Sequence, residues 1–254
     1  MSRRYDQSTT TFSPEGRLHQ VEYAIEAINN AGTCIALQST DGIVLAAEKR
    51  VVSKLLAESK TSEKTYKLDD NITCLVAGLT ADANILIQKA RIESQRYLYE
   101  YQESMPVEQV VKSVCNYMQA YTQYGGLRPF GVAFLIAGYD KTHGFQIYQS
   151  DPSGNYSGWK ATVIGQNNQA GKSILKSDYK EDLNVQKNIK LAIKILLKTM
   201  DSATPSPERL EITTVGLDSD GVVIRQTVDK AVVQTLIDQL KEEESKAAGA
   251  SGDV

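Results

Sequence analysis

Histidine and cysteine are both scarce in this chain, and their scarcity removes several kinds of chemistry at once. Among 254 residues there are three cysteines, Cys34, Cys74 and Cys115, an odd number, widely spaced and each set in an apolar run. Such thiols fit reduced core positions of an intracellular protein better than a disulfide framework. The only histidines are His19 and His143. A serine or cysteine triad needs an imidazole base. His19 falls on a helical pattern and His143 in a Thr-His-Gly turn, so surface or structural roles are expected of both. No close His/Cys pair offers metal-ligand spacing, so neither a metal nor a cofactor is expected. No apolar run approaches the roughly 18 residues of a membrane span. The start, Met-Ser-Arg-Arg-Tyr-Asp, lacks the apolar stretch of a signal peptide. A net charge of -3 gives no reason to expect nucleic acid or an anionic membrane as partner.

What is present suits a large packed body. Hydrophobic residues make up 41% and charged residues 23%, the balance of a globular protein with ample core. Strand-like runs at Thr33–Leu37 and Ile43–Glu48 flank Ser39-Thr40-Asp41-Gly42, a hairpin signal. Ile72–Ala77 is a further apolar run. Helical patterns follow at Ala81–Gln102 and Val107–Tyr124, with Pro106 between them and Gly125-Gly126 as the stop. Strand patterns return at Gly131–Ala137, Phe145–Gln149 and Trp159–Ile164. Helices are expected at Gln169–Ser177 and Val185–Met200, then strands at Glu211–Leu217 and Val222–Gln226, then a helix over Val228–Glu244. Runs of strands alternating with pairs of helices argue for an α+β fold with two stacked sheets between helix layers. No linker-like shift of composition interrupts residues 13–240, which read as one domain. Residues 241–254 are acidic, have too little apolar content to pack, and are expected to be unstructured.

Gly171-Lys172-Ser173 invites a nucleotide-binding reading. A phosphate loop needs a glycine where Gln166 stands, and Gly165 is one place too far, so the start of a helix is the better reading.

The leading segment is the most specific part of the chain. Phe12-Ser13-Pro14-Glu15-Gly16-Arg17-Leu18-His19-Gln20-Val21-Glu22-Tyr23-Ala24-Ile25-Glu26-Ala27 reads as an extended arm turning into an amphipathic helix. Ser13 suits the N-cap and Pro14 the first helical position. Leu18, Val21, Ala24, Ile25 and Ile28 fall on one apolar stripe, with Arg17, Gln20, Glu22 and Glu26 off it. Asn29-Asn30-Ala31-Gly32 stops the helix.

These sixteen residues closely resemble the signature that opens proteasome alpha subunits, and the resemblance extends to about Leu240. It implies a four-layer αββα sandwich of the N-terminal-nucleophile hydrolase type, with an extra N-terminal helix and an arm over residues 1–12. Active beta subunits of that family use a processed N-terminal threonine whose free amine serves as base. In the matching pattern Glu48 holds the acidic partner's place and Lys64 the lysine's, but Gly32 occupies the nucleophile position. Glycine has no hydroxyl and an internal residue has no free amine, so no catalytic residue is expected. The alternative is a threonine-type peptidase freed by cleavage before Thr33.

The resemblance further implies a protein that scaffolds assembly, gates substrate entry and docks activators. The family's Tyr-Asp-Arg gate triplet stands here as Tyr5-Asp6-Gln7, with glutamine in place of the arginine. Gln7 can hydrogen-bond but cannot form a charged pair. The reverse-turn proline and packing tyrosine of the family match Pro14 and Tyr23, which would hold the base of the arm. Lys64 also matches the family's inter-subunit pocket lysine, which pairs with the terminal carboxylate of an activator tail. Implied partners are other alpha subunits in a seven-membered ring, beta subunits of the adjacent ring, and regulatory-particle ATPases or other caps. The implied location is cytoplasm and nucleus. Arg17, Gln20 and Glu22 would be available to the next subunit or to a cap.

Overall fold

The structure is a computed structural model that describes residues 10–49, 55, 62–200 and 206–250, with side chains described as far as residue 243. Among these, helix α1 (His19–Asn29) precedes strands β1 (Cys34–Ser39), β2 (Gly42–Glu48), β3 (Thr65–Asp69) and β4 (Ile72–Gly78). Helices α2 (Thr80–Tyr101) and α3 (Val107–Gln123) follow, then β5 (Val132–Asp140), β6 (Gly144–Ser150), β7 (Tyr156–Gly158) and β8 (Ala161–Ile164). The chain closes with α4 (Asn168–Asp178), α5 (Val185–Thr199), β9 (Leu210–Leu217), β10 (Val223–Thr227) and α6 (Lys230–Ala250).

The strands form two five-stranded sheets, ordered β10-β9-β2-β1-β8 and β3-β4-β5-β6-β7, with every pairing antiparallel. Their period of two explains the layering. On β2, Ile43, Leu45 and Ala47 join Cys34 and Ala36 of β1, Leu75 of β4 and Leu135 of β5 in an inter-sheet core. Val44 and Ala46 point the other way and meet Leu191, Ile195 and Leu196 of α5 and Ile237 of α6. On the second sheet Cys74, Val76, Phe134 and Ile136 face outward onto α2 and α3. The result is the expected αββα sandwich. Both faces of the central strands are covered, which is why they read as unbroken apolar runs.

The helices bury the faces their spacing dictates. On α3, Val107, Val110, Val111, Val114, Cys115, Met118 and Thr122 are buried, a helical stripe over the second sheet. Asn184 caps α5 by accepting from the Lys187 N–H at 3.0 Å. Gly171, Lys172 and Ser173 lie inside the first turns of α4, as the helix reading required, and a Cβ on Gly171 would stand 3.0 Å from Val163. All three thiols are buried and unpaired. Burial pushes Cys74 and Cys115 up to about 12, so both stay protonated and inert.

Several expectations need correction. The leading helix begins at His19, not at Pro14. Residues 13–17 instead close a turn, with Gly16 N–H donating to the Ser13 carbonyl at 2.8 Å and Ser13 N–H to the Arg17 carbonyl at 2.9 Å. Gly16 has φ of 77°, a value that interrupts a right-handed helix. Ser13 therefore caps this turn, its hydroxyl accepting from the Arg17 N–H at 3.2 Å. At the other end α6 runs to Ala250, past Glu244 and into the segment expected to be unstructured. Glu242, Glu243, Lys246, Ala247 and Ala248 are good helix formers, and Glu243 pairs with Lys190 of α5 at 2.6 Å. Strands β3 and β7 have no counterpart in the sequence reading, and Trp159 and Lys160 precede β8 instead of opening it.

One buried carboxylate fastens the loop between α3 and β5. Asp82 accepts from Arg128 at 2.6 and 2.8 Å and from the Gly131 N–H at 2.9 Å. The Arg128 hydrogen bond is the main reason its carboxyl sits below the ordinary aspartate value. A lowered folded value means stability that is complete above the unfolded pKa and lost as pH falls through the folded one. We expect Asp82→Asn to cost about 1–3 kcal/mol at neutral pH, carried mostly by the buried N–H because Arg128 is largely exposed. Urea midpoints of the two proteins should converge as the pH drops below the usual aspartate range.

Candidate functional site

The residues singled out for chemistry come together where β1 begins. Gly32 and Thr33 enter β1 from α1, Glu48 ends β2, Lys64 leads into β3, and Glu211 lies near the start of β9. Glu48 N–H donates to the Thr33 carbonyl at 2.9 Å, which locks the end of β2 against the chain entering β1. A Cβ built on Gly32 would lie 3.0 Å from the Glu48 carbonyl oxygen and 3.7 Å from Glu48 Oε2. The acidic partner thus stands beside the nucleophile position, as the sequence pattern implied, and that position carries no side chain.

Glu48 is buried and already engaged, its Oε1 3.3 Å from the Arg209 guanidinium. Thr33 is equally committed. It is fully buried, and its hydroxyl donates to the Gln166 carbonyl at 3.0 Å. Gln166 N–H in turn donates to the Ala31 carbonyl at 2.8 Å, so the turn after β8 clamps the approach to β1. Gly165 makes the clamp possible. Its φ is 91°, and a Cβ there would come within 2.7 Å of the Gly32 carbonyl oxygen.

Lys64 is half-buried, and its backbone is pinned by Glu211. That buried carboxylate accepts from the N–H groups of Glu63 at 2.9 Å, Lys64 at 3.3 Å and Thr65 at 2.9 Å. The Lys64 carbonyl accepts from Val76 N–H at 3.1 Å. Burial raises the Cys34 thiol; the Lys64 charge opposes that rise while Glu211 and Glu48 add to it. The three charged groups are therefore all felt at the first residue of β1. Among the described residues the Lys64 ammonium has no ion-pair partner.

Tyr5, Asp6 and Gln7 lie outside the described residues. Pro14 sits exposed in the turn that precedes α1. Tyr23 is half-exposed on α1, its ring stacked on His19 with centroids 6.4 Å apart. Arg17 and Glu22, expected to be available to a neighbour, bind each other through two contacts of 2.6 and 2.7 Å. His143 lies exposed in the β5–β6 turn, 3.7 Å from Asp140. Neither histidine belongs to the group around Gly32.

The sequence reading missed Arg209, Glu211, Gly165 and Gln166. Glu211 offered the one available signal, a carboxylate near the start of an otherwise uncharged strand.

A sandwich of this topology, with an acidic residue and a lysine set around an empty nucleophile position, defines the class of the molecule. Residues 28–215 match the family described as proteasome subunit, and residues 5–27 match the N-terminal signature of the A-type, or alpha, proteasome subunits. The chain belongs to the proteasome subunit family, within its non-catalytic alpha type. It is 61% identical over 217 residues to proteasome subunit alpha type-4-A of Arabidopsis thaliana, covering 85% of this chain and 87% of that protein. It is 60% identical over 223 residues to proteasome subunit alpha type-4 of Spinacia oleracea, covering 88% and 89%. Proteasome subunit alpha type-4-2 of Oryza sativa subsp. indica is 58% identical over 217 residues, covering 85% and 87%. The alternative of a threonine-type peptidase released at Thr33 is overturned by the alpha-type signature, and the buried, donor-committed Thr33 hydroxyl agrees.

Proposed function

We propose that this chain scaffolds an alpha ring of the proteasome core, lends one arm to the gate over its pore, and helps dock activators. Other alpha subunits form its seven-membered ring, beta subunits of the adjacent ring carry the proteolysis, and regulatory-particle ATPases or other caps bind from outside. In this reading it serves ubiquitin-dependent and ubiquitin-independent protein degradation in the cytoplasm and nucleus. The observation that carries the gating role is the match of residues 5–27 to the alpha N-terminal signature, together with the closed turn at residues 13–17. In this reading the turn is the base from which Tyr5, Asp6 and Gln7 reach equivalent arms of the ring. Deleting residues 1–11 should raise basal peptide hydrolysis by assembled particles and leave assembly intact. Unchanged basal hydrolysis would count against gating by this arm.

Lys64 is the proposed cationic partner of an activator's terminal carboxylate, donating to it. Support comes from its rigid backbone and from an ammonium left without an internal counterion among the described residues. A compact cation held this way suits one carboxylate. Lys64→Ala is expected to weaken stimulation by at least one cap about tenfold in half-maximal cap concentration. Equal stimulation by every cap tested would remove the claim.

A further inference from the structure

Away from the Gly32 region, a groove of about 710 Å³ lies between the edge strand β8 and helix α4. Trp159, the only tryptophan of the chain, lines it and is 42% exposed. Around it stand Lys160, Lys172, Lys176 and Lys180. The one carboxylate in the lining, Glu181, is bound to Lys160. Asp178, the last residue of α4, is turned away to Lys194 at 2.6 Å. Lys172, Lys176 and Lys180 have no ion-pair partner among the described residues.

That arrangement runs against the protein's own stability. Lys172 and Lys176 are four apart on α4, where like charges oppose helix formation. A lysine beside an edge strand has an ordinary use, because charge there discourages stray strand pairing. This accounts for Lys160, and Lys176 in the last turn of α4 complements the helix dipole, which leaves Lys172 and Lys180 unexplained. A chain of net charge -3 thus concentrates uncompensated positive charge around one exposed aromatic face.

We propose that this groove docks an acidic peptide segment of a partner protein, with an apolar or aromatic residue laid on Trp159 and carboxylates paired with Lys172, Lys176 and Lys180. Electrostatic complementarity selects the partner, and the aromatic contact supplies apolar burial at the groove's centre. Nucleic acid fits less well. No arginine lines the groove to grip phosphate in bidentate fashion, and the acidic remainder of the chain repels a long polyanion. Lys172 also lines a smaller cavity with Ile25 and Ile28, so a bound segment lies next to the C-terminal end of α1. The proposal does not depend on Lys64 or on gating.

Trp159 is its own reporter. The full chain is titrated with a short polyglutamate peptide carrying one central phenylalanine, with its glutamine counterpart, and with oligothymidylate. We expect a saturable blue shift of tryptophan emission with the glutamate peptide, weakened by added salt, and none with the glutamine peptide. Lys172→Glu combined with Lys176→Glu should weaken binding by at least about tenfold. Lys180→Glu, beyond the end of α4, should weaken it by about threefold, so the idea remains open to refutation even if the double variant misfolds. Absence of a saturable shift, an equal response to the glutamine peptide, a response to oligothymidylate alone, or wild-type affinity in Lys180→Glu would each overturn it.

Discussion

Glu211→Ala is expected to destabilise the purified chain by at least about 3 kcal/mol, the largest loss from any single side chain outside the apolar core. Its carboxylate takes three consecutive N–H groups, those of Glu63, Lys64 and Thr65. Charge-assisted bonds to a buried acceptor are the strong kind, and removing the acceptor strands the donors. Glu63 is exposed and can turn to water, whereas Thr65 is buried and cannot. Hydration therefore recovers only part of the loss. Glu211→Gln should fall between, at about 2 kcal/mol, because one amide oxygen remains while an NH2 group now faces other donors. Urea unfolding of the three proteins checks the order. A Glu211→Ala protein within about 1 kcal/mol of wild type would show that the segment leading into β3 is held by something else.

Gly165→Ala is the second large effect, at about 3 kcal/mol, and two separate costs produce it. The first is conformational, since φ of 91° is a region that L side chains rarely adopt. The second is steric. The new Cβ would stand 2.7 Å from the Gly32 carbonyl oxygen and 3.0 Å from that of Ala31. Backbone cannot simply withdraw, because Gln166 holds Ala31 and Thr33 by hydrogen bonds of 2.8 and 3.0 Å. Gly16→Ala separates the two costs. Gly16 also has positive φ, 77°, but an added Cβ would meet nothing within 4 Å. We expect it to lose only about 1 kcal/mol. Equal thermal shifts for the two variants would mean that the close approach at Gly165 is unimportant.

The layered fold was legible because each element obeys its own period. The stripe of valines on α3 and the unbroken apolar runs of β1, β2 and β4 survive any reasonable choice of boundary. What stayed hidden was set by contacts distant in sequence. Thr65–Asp69 is a strand whose Tyr-Lys centre is not apolar and whose register shifts between Lys67 and Asp69, so it carries no clean alternation. Ser13-Pro14-Glu15-Gly16 satisfies the rules for a helix start as well as those for a turn, and the positive φ of Gly16 decides between them. The extra length of α6 reflects local propensity together with an anchor from Lys190, which no reading of the tail alone supplies.

The group around Gly32 divides in the same way. Gly32, Glu48 and Lys64 were found because the family pattern fixes their places along the chain. Arg209 and Gln166 reach the group across the fold, from positions with no motif of their own. These partners are what turn an absent hydroxyl into a closed structure: Glu48 is occupied, Thr33 is buried, and the strand entry is clamped by Gly165.

Assembled particles treated with a covalent threonine-directed inhibitor, then resolved by intact-mass spectrometry, put this account to its hardest test. We expect the adduct on beta chains and this chain at unmodified mass, with residues ahead of Thr33 still attached. An adduct on Thr33 of a chain shortened to begin there would contradict it.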